Sequence, residues 1–403
     1  MKEHLLKLAP LAMLVSMIAA CSDEPASQQP STPDAGQACE APLTSNPITG
    51  KCGAPESPTD MTSSTPDLVD VVDMHSEPPV SDMQIWPDLP TSNPMKDMGR
   101  DMASGDDDMG MDEADMPAPV MQVTRFVAIG DTGTGSDIQR QVGQAIGTVC
   151  AQYGGCEFGM LLGDNAYNSG VESENDPFFM DIFVTPYGHL NFPFYVVLGN
   201  HDLGGNGLGL SLDFEKGDYQ VRYSQINPQW LMPAKFYQVD LRHIWLLALN
   251  TTEIFFGQDS TQRGTIPDWI EQAPVGDWKI AFGHHPYISN GKHGNAGEYD
   301  GVSFLPIASG EHVETFMEDF ICGKVDLYIS GHDHSLQDLH ADCGTEFIVT
   351  GAGAKTTEIK GDNPAYFNAS TYGFTLLEAT PSELHIYFFD KDANLLHDRV
   401  ITR

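Results

Sequence analysis

Five short stretches of the chain combine glycine with side chains that can bind metal ions. They are GDTG (130–133), GDNAY (163–167), GNHD (199–202), GHHP (283–286) and GHDH (331–334). Together they carry carboxylate, amide, phenol and imidazole groups, which are the common ligands of protein-bound metal ions. Any one of them alone is more typical of a turn or of a structural histidine. Five in succession predict a site for two metal ions.

Each of the five stretches directly follows an apolar run that is typical of a buried β-strand. These runs are residues 123–129, 158–162, 195–198, 279–282 and 325–329, and further strands are predicted at 236–239, 243–249, 347–349, 374–377 and 384–389. A helix with Ser136 as its N-cap is predicted from the helical spacing of Ile138, Val142, Ile146 and Val149. In α/β sheets the loops at the carboxyl ends of strands meet in one crevice, which is the usual ligand site. Glycine there permits sharp turns and a close approach of the backbone to a ligand.

In their order and spacing the five stretches resemble the metallophosphoesterase superfamily, and within it the purple acid phosphatases. The resemblance covers residues 122–400, and YSQINPQW (223–230) and GHDHSLQDL (331–339) are similar to the short, tartrate-resistant type. It implies a four-layer α/β/β/α sandwich with two mixed sheets, formed by a calcineurin-like domain at residues 121–403.

The resemblance also implies which residues bind which metal ion. Most metallophosphoesterases begin with Asp-x-His, but here the third position is Gly133, and a tyrosine, Tyr167, stands in the second stretch. A phenol with a pKa of about 10 ionises near neutral pH only against a strong Lewis acid, so the exchange favours Fe³⁺ and a purple or pink colour. The implied ligands of Fe³⁺ are Asp131, Tyr167 and His334. Asp164 would bridge to a second ion, Fe²⁺, Zn²⁺ or Mn²⁺, held by Asn200, His284 and His332.

The activity that the resemblance implies is acid phosphatase activity on phosphomonoesters. A hydroxide on or between the two metal ions would attack phosphorus. His201 is the expected general acid, and Asp202 would either orient it or cap the following turn. His293, in GKHG, resembles a histidine that contacts phosphate in the short-type enzymes. His285 departs from the family, which usually has tyrosine there, and it could alter the substrate rim.

Two other functions stay open from the sequence. The first is a phosphodiesterase or nucleotidase with two divalent ions, which the loss of Asp-x-His disfavours. The second is a non-catalytic protein displayed on the cell surface, although all seven ligand positions are filled. The net charge of −37 disfavours nucleic acid and bare anionic membranes as partners. The sequence does not indicate an oligomeric state.

The first 120 residues have the composition of a signal and a spacer. Residues 1–20 carry two lysines and an apolar stretch that ends in small residues, which is typical of a secretory signal. The tetrapeptide Ile18-Ala19-Ala20-Cys21 resembles a bacterial lipobox, so a lipid on Cys21 is expected to be the protein's contact with a membrane. Ser22 is consistent with an outer-membrane lipoprotein that faces the periplasm or the cell surface. Residues 21–120, rich in Pro, Ser, Asp and Met, are predicted to form a disordered acidic spacer.

Six cysteines remain after Cys21, an even number that suits disulfides in an exported protein. Proximity in sequence favours three pairs among the 15 possible connectivities. These pairs are Cys39–Cys52, Cys150–Cys156 and Cys322–Cys343.

Overall fold

The computed structural model describes residues 123–204, 212–297 and 309–403. The predicted signal peptide (1–20) and spacer (21–120), with Cys21 and the Cys39–Cys52 pair, lie outside the described residues. The domain boundaries drawn from the sequence therefore stay predictions.

The first of two seven-stranded sheets contains the first strands of the domain and its C-terminal strands. Four of its strands are β1 (Thr124–Ile129), β2 (Phe158–Leu162), β3 (Phe194–Val197) and β4 (Trp230–Leu231). The others are β12 (Gly373–Ala379), β13 (Glu383–Asp390) and β14 (Leu395–Thr402). The order across the sheet is β14-β13-β12-β1-β2-β3-β4. The strands from β1 to β4 run parallel, whereas β12 pairs antiparallel with β1.

The second sheet is formed by the middle of the domain. Its strands are β5 (Tyr237–Leu241), β6 (Ile244–Ala248), β7 (Trp278–Phe282), β8 (Leu327–Ser330), β9 (Leu336–Asp342), β10 (Thr345–Thr350) and β11 (Ala365–Ala369). Their order is β11-β9-β10-β8-β7-β6-β5. The neighbours β6, β7, β8 and β10 are parallel, and the outer pairs are antiparallel. Both sheets are therefore mixed.

Six α-helices accompany these strands in the described part of the chain. They are α1 (Asp137–Gln152), α2 (Thr185–Tyr187), α3 (Glu215–Tyr223), α4 (Thr251–Phe255), α5 (Ser260–Gln272) and α6 (Gly310–Phe320). A π-helix precedes α2 at Met180–Val184, and a 3-10 helix covers His201–Leu203. The predicted cap of α1 is confirmed, because the Ser136 side chain accepts a hydrogen bond from the Gln139 amide.

The side chains of β6 show how the layers are stacked. Ile244, Leu246 and Ala248 belong to a core that also contains β1, β2 and α1 residues. Trp245 and Leu247, which alternate with them, belong to a second core with residues of α4, α5 and α6. Successive side chains of a strand point to opposite faces, so β6 has the first sheet on one face and helices on the other. The predicted fold class, two mixed sheets with helices outside them, is confirmed.

A buried ion pair joins the two sheets at β9 and β14. Asp338, which is fully buried, accepts hydrogen bonds from Nε and Nη2 of Arg399 at 2.8 and 2.7 Å. His397 Nε2 lies 3.1 Å from the same carboxylate. Removing one partner of a buried pair costs far more than removing an exposed one, so this contact holds the C-terminal strand of one sheet against the other sheet.

Two of the three expected disulfides lie in the described residues, and both are present. Cys150–Cys156 and Cys322–Cys343 each have a Cα–Cα distance of 5.3 Å. Within residues 123–204, 212–297 and 309–403, no helix is both long and apolar enough to cross a bilayer.

Candidate metal centre

The five glycine-containing stretches follow the carboxyl ends of parallel strands from both sheets. The first three come after β1, β2 and β3 of one sheet, and the last two come after β7 and β8 of the other. The structure brings all seven predicted ligands together there, as the contacts below show. Two sheets rather than one therefore contribute to the site.

One group of side chains surrounds the hydroxyl of Tyr167. This hydroxyl lies 3.0 Å from Asp131 Oδ1 and 3.2 Å from His334 Nε2. His334 Nε2 and Asp131 Oδ1 are 3.4 Å apart. The three residues expected to hold Fe³⁺ thus present one phenol, one carboxylate and one imidazole to a single point.

A second group surrounds Nε2 of His284. Asn200 Oδ1 lies 2.9 Å from this nitrogen, and His332 Nδ1 lies 3.1 Å from it. The other ring nitrogen of His284 donates to the Leu162 carbonyl oxygen at 2.8 Å, which fixes the ring and leaves Nε2 facing its neighbours. These are the three residues expected to hold a divalent ion.

Asp164 lies between the two groups. Its Oδ1 is 3.4 Å from His284 Nε2, and ligand atoms of Asp131, Asp164 and His284 all lie within 4.8 Å of one another. The bridging role expected of Asp164 stays a prediction, and this position is compatible with it.

The buried charge of these residues fits bound cations. Asp131 is 0% exposed and Asp164 is 2% exposed. In the described parts of the chain neither carboxylate pairs with a lysine or an arginine, and their ion-pair partners are histidines. Burying an unpaired carboxylate is very costly. Bound metal ions therefore suit these two buried groups better than protonation of the carboxyl groups does. The donor set of hard oxygen and imidazole nitrogen suits transition metals.

The pKa shifts point the same way. Burial, with the nearby charges of Asp131 and Asp164, raises the pKa of Tyr167 well above its ordinary value. Burial also opposes ionisation of Asp164, but His284 and His201 outweigh it and lower the pKa of that carboxyl. Without a cation the phenol therefore stays protonated beside an ionised carboxylate, and a phenolate at this point requires a metal ion.

Three predicted ligands have a backbone conformation that non-glycine residues rarely adopt. The φ angles are +58° at Asp131, +53° at Asp164 and +67° at His332. Such residues cost on the order of 1–3 kcal/mol each and persist only where the surrounding structure fixes them. Their concentration at one place is typical of a functional site.

Close backbone contacts explain two of the glycines. A Cβ at Gly199 would lie 2.2 Å from Asp164 Oδ1 and 2.1 Å from the Asp164 amide nitrogen. A Cβ at Gly133 would lie 2.1 Å from the carbonyl carbon of Asn165. Gly133 therefore cannot be replaced by a ligand histidine while the loop that carries Tyr167 keeps its position.

His201, the expected general acid, lies against the Tyr167 ring with a centroid distance of 4.6 Å. Its Nδ1 lies 2.8 Å from the Asn168 carbonyl oxygen, to which it donates. Its Nε2 lies 4.0 Å from Asp164 Oδ2. The nitrogen that faces the site is therefore the one left to exchange a proton.

Asp202 does not orient His201, contrary to one of the two roles expected for it. Its buried carboxylate accepts hydrogen bonds from the amides of Asn165, Ala166 and Gly199 at 3.1, 2.9 and 2.7 Å, and from the side chain of Gln220 at 2.9 Å. In the described structure no hydrogen bond joins Asp202 to the His201 ring, whose Nδ1 donates to the Asn168 carbonyl oxygen instead. Burial and the charge of Asp164 raise the pKa of Asp202 to about 7. Asp202 thus ties the second stretch to the third and positions the ligands on both.

The rings of the two remaining histidines of interest both contact the ring of His332. The ring of His293 is 4.2 Å from that of His332, and its amide donates to Asp333 at 2.9 Å. His285 is 2% exposed and stacks on Phe255. The role of His293 toward phosphate and the effect of His285 on the substrate rim both stay predictions.

Lys355 is a site residue that the sequence did not reveal. Its ammonium lies 3.6 Å from the centroid of the Tyr167 ring. It follows β10 and the sequence Gly351-Ala352-Gly353, so a strand followed by glycine was again the available signal. That signal was missed because lysine is not a usual metal ligand.

Two stacked mixed sheets with metal-binding side chains at their strand ends define the metallophosphoesterase class. Residues 124–336, half of the chain, match the calcineurin-like phosphoesterase family, and the chain belongs to that family.

Curated relatives of this family confirm the resemblance drawn from the motifs. Purple acid phosphatase 3 of Arabidopsis thaliana is 28% identical over 315 residues, which are 70% of this chain and 78% of that protein. Tartrate-resistant acid phosphatase type 5 of Oryctolagus cuniculus is 26% identical over 321 residues, 68% of this chain and 89% of that protein. The family and these relatives imply phosphoester hydrolysis at a dinuclear metal centre.

Two solved structures share the fold. GAP50 of Plasmodium, described as the anchor in the inner membrane complex, has a TM-score of 0.54 at 20% identity, over 70% of this chain and 89% of that one. A purple acid phosphatase from yellow lupin seeds has a TM-score of 0.51 at 18% identity, over 70% of this chain and 54% of that one. At such low identity the likeness shows the fold alone.

We expect Asp202→Ala to destabilise the domain by about 3–5 kcal/mol, because it leaves several buried donors without an acceptor. Urea unfolding of the metal-free protein measures this loss, and metal content after reloading reports the ligand geometry. The matched control is Asp268→Ala on the exposed side of α5, which should change stability by less than about 0.5 kcal/mol. If Asp202→Ala and Asp268→Ala had equal free energies of unfolding, the proposed role of Asp202 in holding the second and third stretches together would be contradicted.

Proposed function

We propose that this protein is an acid phosphatase that hydrolyses phosphomonoesters at a dinuclear centre of the purple acid phosphatase type. One observation carries the proposal: the Tyr167 hydroxyl lies at hydrogen-bond distance from both Asp131 and His334. A phenol in this group distinguishes the site from a purely divalent pair, because an anionic phenolate oxygen suits a hard trivalent ion.

The proposed ligands follow the two groups described above. Asp131, Tyr167 and His334 would hold Fe³⁺, and Asn200, His284 and His332 would hold Fe²⁺, Zn²⁺ or Mn²⁺, with Asp164 shared by both. Such a pair, when bound, clamps a phosphate group and lowers the pKa of water that it contacts.

The side chains around the ligands supply the rest of the reaction. A water oxygen forms the new bond to phosphorus, and the bond from phosphorus to the leaving oxygen breaks with its electron pair on that oxygen. His201, protonated at Nε2, gives the leaving oxygen its proton, and a proton from the attacking water is released. His293 is proposed to contact the phosphate from the side of His332.

The colour of the protein tests the proposed iron site. We expect the iron-loaded domain to show a broad visible absorption band from tyrosinate-to-Fe³⁺ charge transfer, and Tyr167→Phe to lose it. Tyr366→Phe, on the half-exposed Tyr366 of β11, is the control and should keep the band.

Two other results would replace the proposed function. A colourless parent that carries two divalent ions and hydrolyses diesters but not monoesters would be a phosphodiesterase. A parent with less than one metal ion per chain would be a non-catalytic relative.

The role of His201 is tested by varying the leaving group. We expect His201→Ala to lower kcat by about 10²–10⁴-fold on an alkyl phosphate, whose alkoxide needs a proton. On p-nitrophenyl phosphate the loss should be much smaller, because p-nitrophenolate leaves without one. His189→Ala, at an exposed histidine, is the control. Equal losses on both substrates would show that His201 supports the site rather than donating the proton.

We also propose that the protein is exported and tethered by a lipid on Cys21. The two disulfides in the described residues support export, since such bonds persist in oxidising compartments. In a bacterial host the full chain should fractionate with membranes, and Cys21→Ser should release it, whereas Cys39→Ser should remain bound. Membrane association of the Cys21→Ser variant would refute the lipid anchor.

A further inference from the structure

Lys355 contacts a predicted metal ligand but is not itself one. Its ammonium lies 3.6 Å from the centroid of the Tyr167 ring. The ring of His201 lies against the same tyrosine, with a centroid distance of 4.6 Å. The proposed proton donor and the Lys355 ammonium therefore contact the same predicted metal ligand.

The backbone around Lys355 is tied to the ligand loops. The amide of Gly353 donates to the Gly130 carbonyl oxygen at 3.1 Å, and the amide of Thr357 donates to the His334 carbonyl oxygen at 2.9 Å. The amide of Gly351 donates to the Ser335 carbonyl oxygen at 3.1 Å. Lys355 is thus held at a fixed place between two anchored residues.

The ammonium of Lys355 has no carboxylate partner in the part of the chain that the structure describes. Several other lysines do have one, as in the pairs Lys216–Glu172, Lys235–Asp218 and Lys391–Asp392. Lys355 is half-buried, and an ammonium offers three hydrogen-bond donors. In a chain with a net charge of −37, a lysine in contact with the site but without an acidic partner is well placed to bind an anion from outside.

We propose that Lys355 is a specificity-determining residue that favours substrates with a second anionic group next to the scissile bond, such as phosphoanhydrides. The inference rests on the proposed phosphatase function and concerns the leaving-group side of the same site. His201 marks that side, because the group that gives the proton must lie beside the leaving oxygen.

The hydrolysis of pyrophosphate forms and breaks the same kinds of bond, and moves the same protons, as the hydrolysis of an ester. Water oxygen bonds to one phosphorus, the bond from that phosphorus to the bridging oxygen breaks, and the bridging oxygen keeps the electron pair and takes a proton from His201. Lys355 gives and takes no proton. Its charge lies near the departing phosphate, whose negative charge grows in the transition state, whereas a phenol leaving group has no second charge to bind.

The test compares two substrates and two variants of the full chain. We expect Lys355→Met to lower kcat/KM for pyrophosphate about tenfold, which corresponds to one charge-assisted hydrogen bond. For phenyl phosphate the change should stay within about threefold, and Lys355→Arg should restore most of the pyrophosphate activity. The visible band of the iron site should persist in both variants.

A binding measurement gives a readout that does not depend on turnover. By calorimetry, Lys355→Met should weaken binding of phosphonoacetate about tenfold and leave propylphosphonate, which lacks the second charge, nearly unchanged. If wild type hydrolyses phenyl phosphate but Lys355→Met affects both substrates and both phosphonates alike, the selectivity of Lys355 is overturned and the proposed function stands. If wild type hydrolyses neither substrate, the proposed function falls, and the leaving-group role of Lys355 with it.

Discussion

Two carboxylates are buried at the carboxyl ends of two neighbouring strands, β1 and β2, without a lysine or arginine to neutralise them in the described structure. Asp131 and Asp164 lie within a few ångströms of each other. Like charges so close in a low-dielectric setting repel strongly. The fold can place them there only if positive charge is supplied, and the surrounding imidazoles and phenol are arranged as ligands of cations. Metal binding is therefore part of the stability of this region as well as its chemistry.

The strain of the site depends on both sheets. Asp131, Asp164 and His332 have positive φ angles, and each follows a glycine at the end of a strand. The buried strands on either side fix these turns, and Asp202 ties the turn at Asp164 to the GNHD stretch (199–202) with hydrogen bonds to three backbone amides. Because each ligand group takes residues from both stacked sheets, relative movement of the sheets would pull each group apart. The buried contact between Asp338 and Arg399 opposes such movement.

The sequence predicted the elements that lead into the site better than those at the sheet edges. The strands before the five stretches are buried on both faces and read as apolar runs, and the structure confirms them. By contrast β9 (LQDLHAD) and β14 (LLHDRVIT) carry charged residues and were not predicted. Their charged side chains Asp338 and Arg399 pair with each other only after the sheets stack, and a single sequence does not show such a long-range pair. The same reason hid Lys355, whose position depends on the distant Tyr167. It also hid the hydrogen bonds from Asn165 and Ala166 to Asp202, because these two residues lie on another loop.

The exchange of a histidine ligand at position 133 for a tyrosine ligand at position 167 depends on how the backbones of the two loops pack together. A side chain at position 133 has no space, because the loop with Asn165 and Ala166 occupies it at 2.1–2.3 Å from where a Cβ would lie. That loop is held against Gly133 by two backbone hydrogen bonds, from Gly133 to Asp164 at 3.0 Å and from Tyr167 to Gly133 at 2.8 Å. The glycine that removes one ligand is thus what allows the loop to bring Tyr167 to Asp131 and His334. With the loop in this position, a ligand histidine at 133 and a ligand tyrosine at 167 exclude each other on steric grounds, so Gly133 and Tyr167 belong together as one feature of this site.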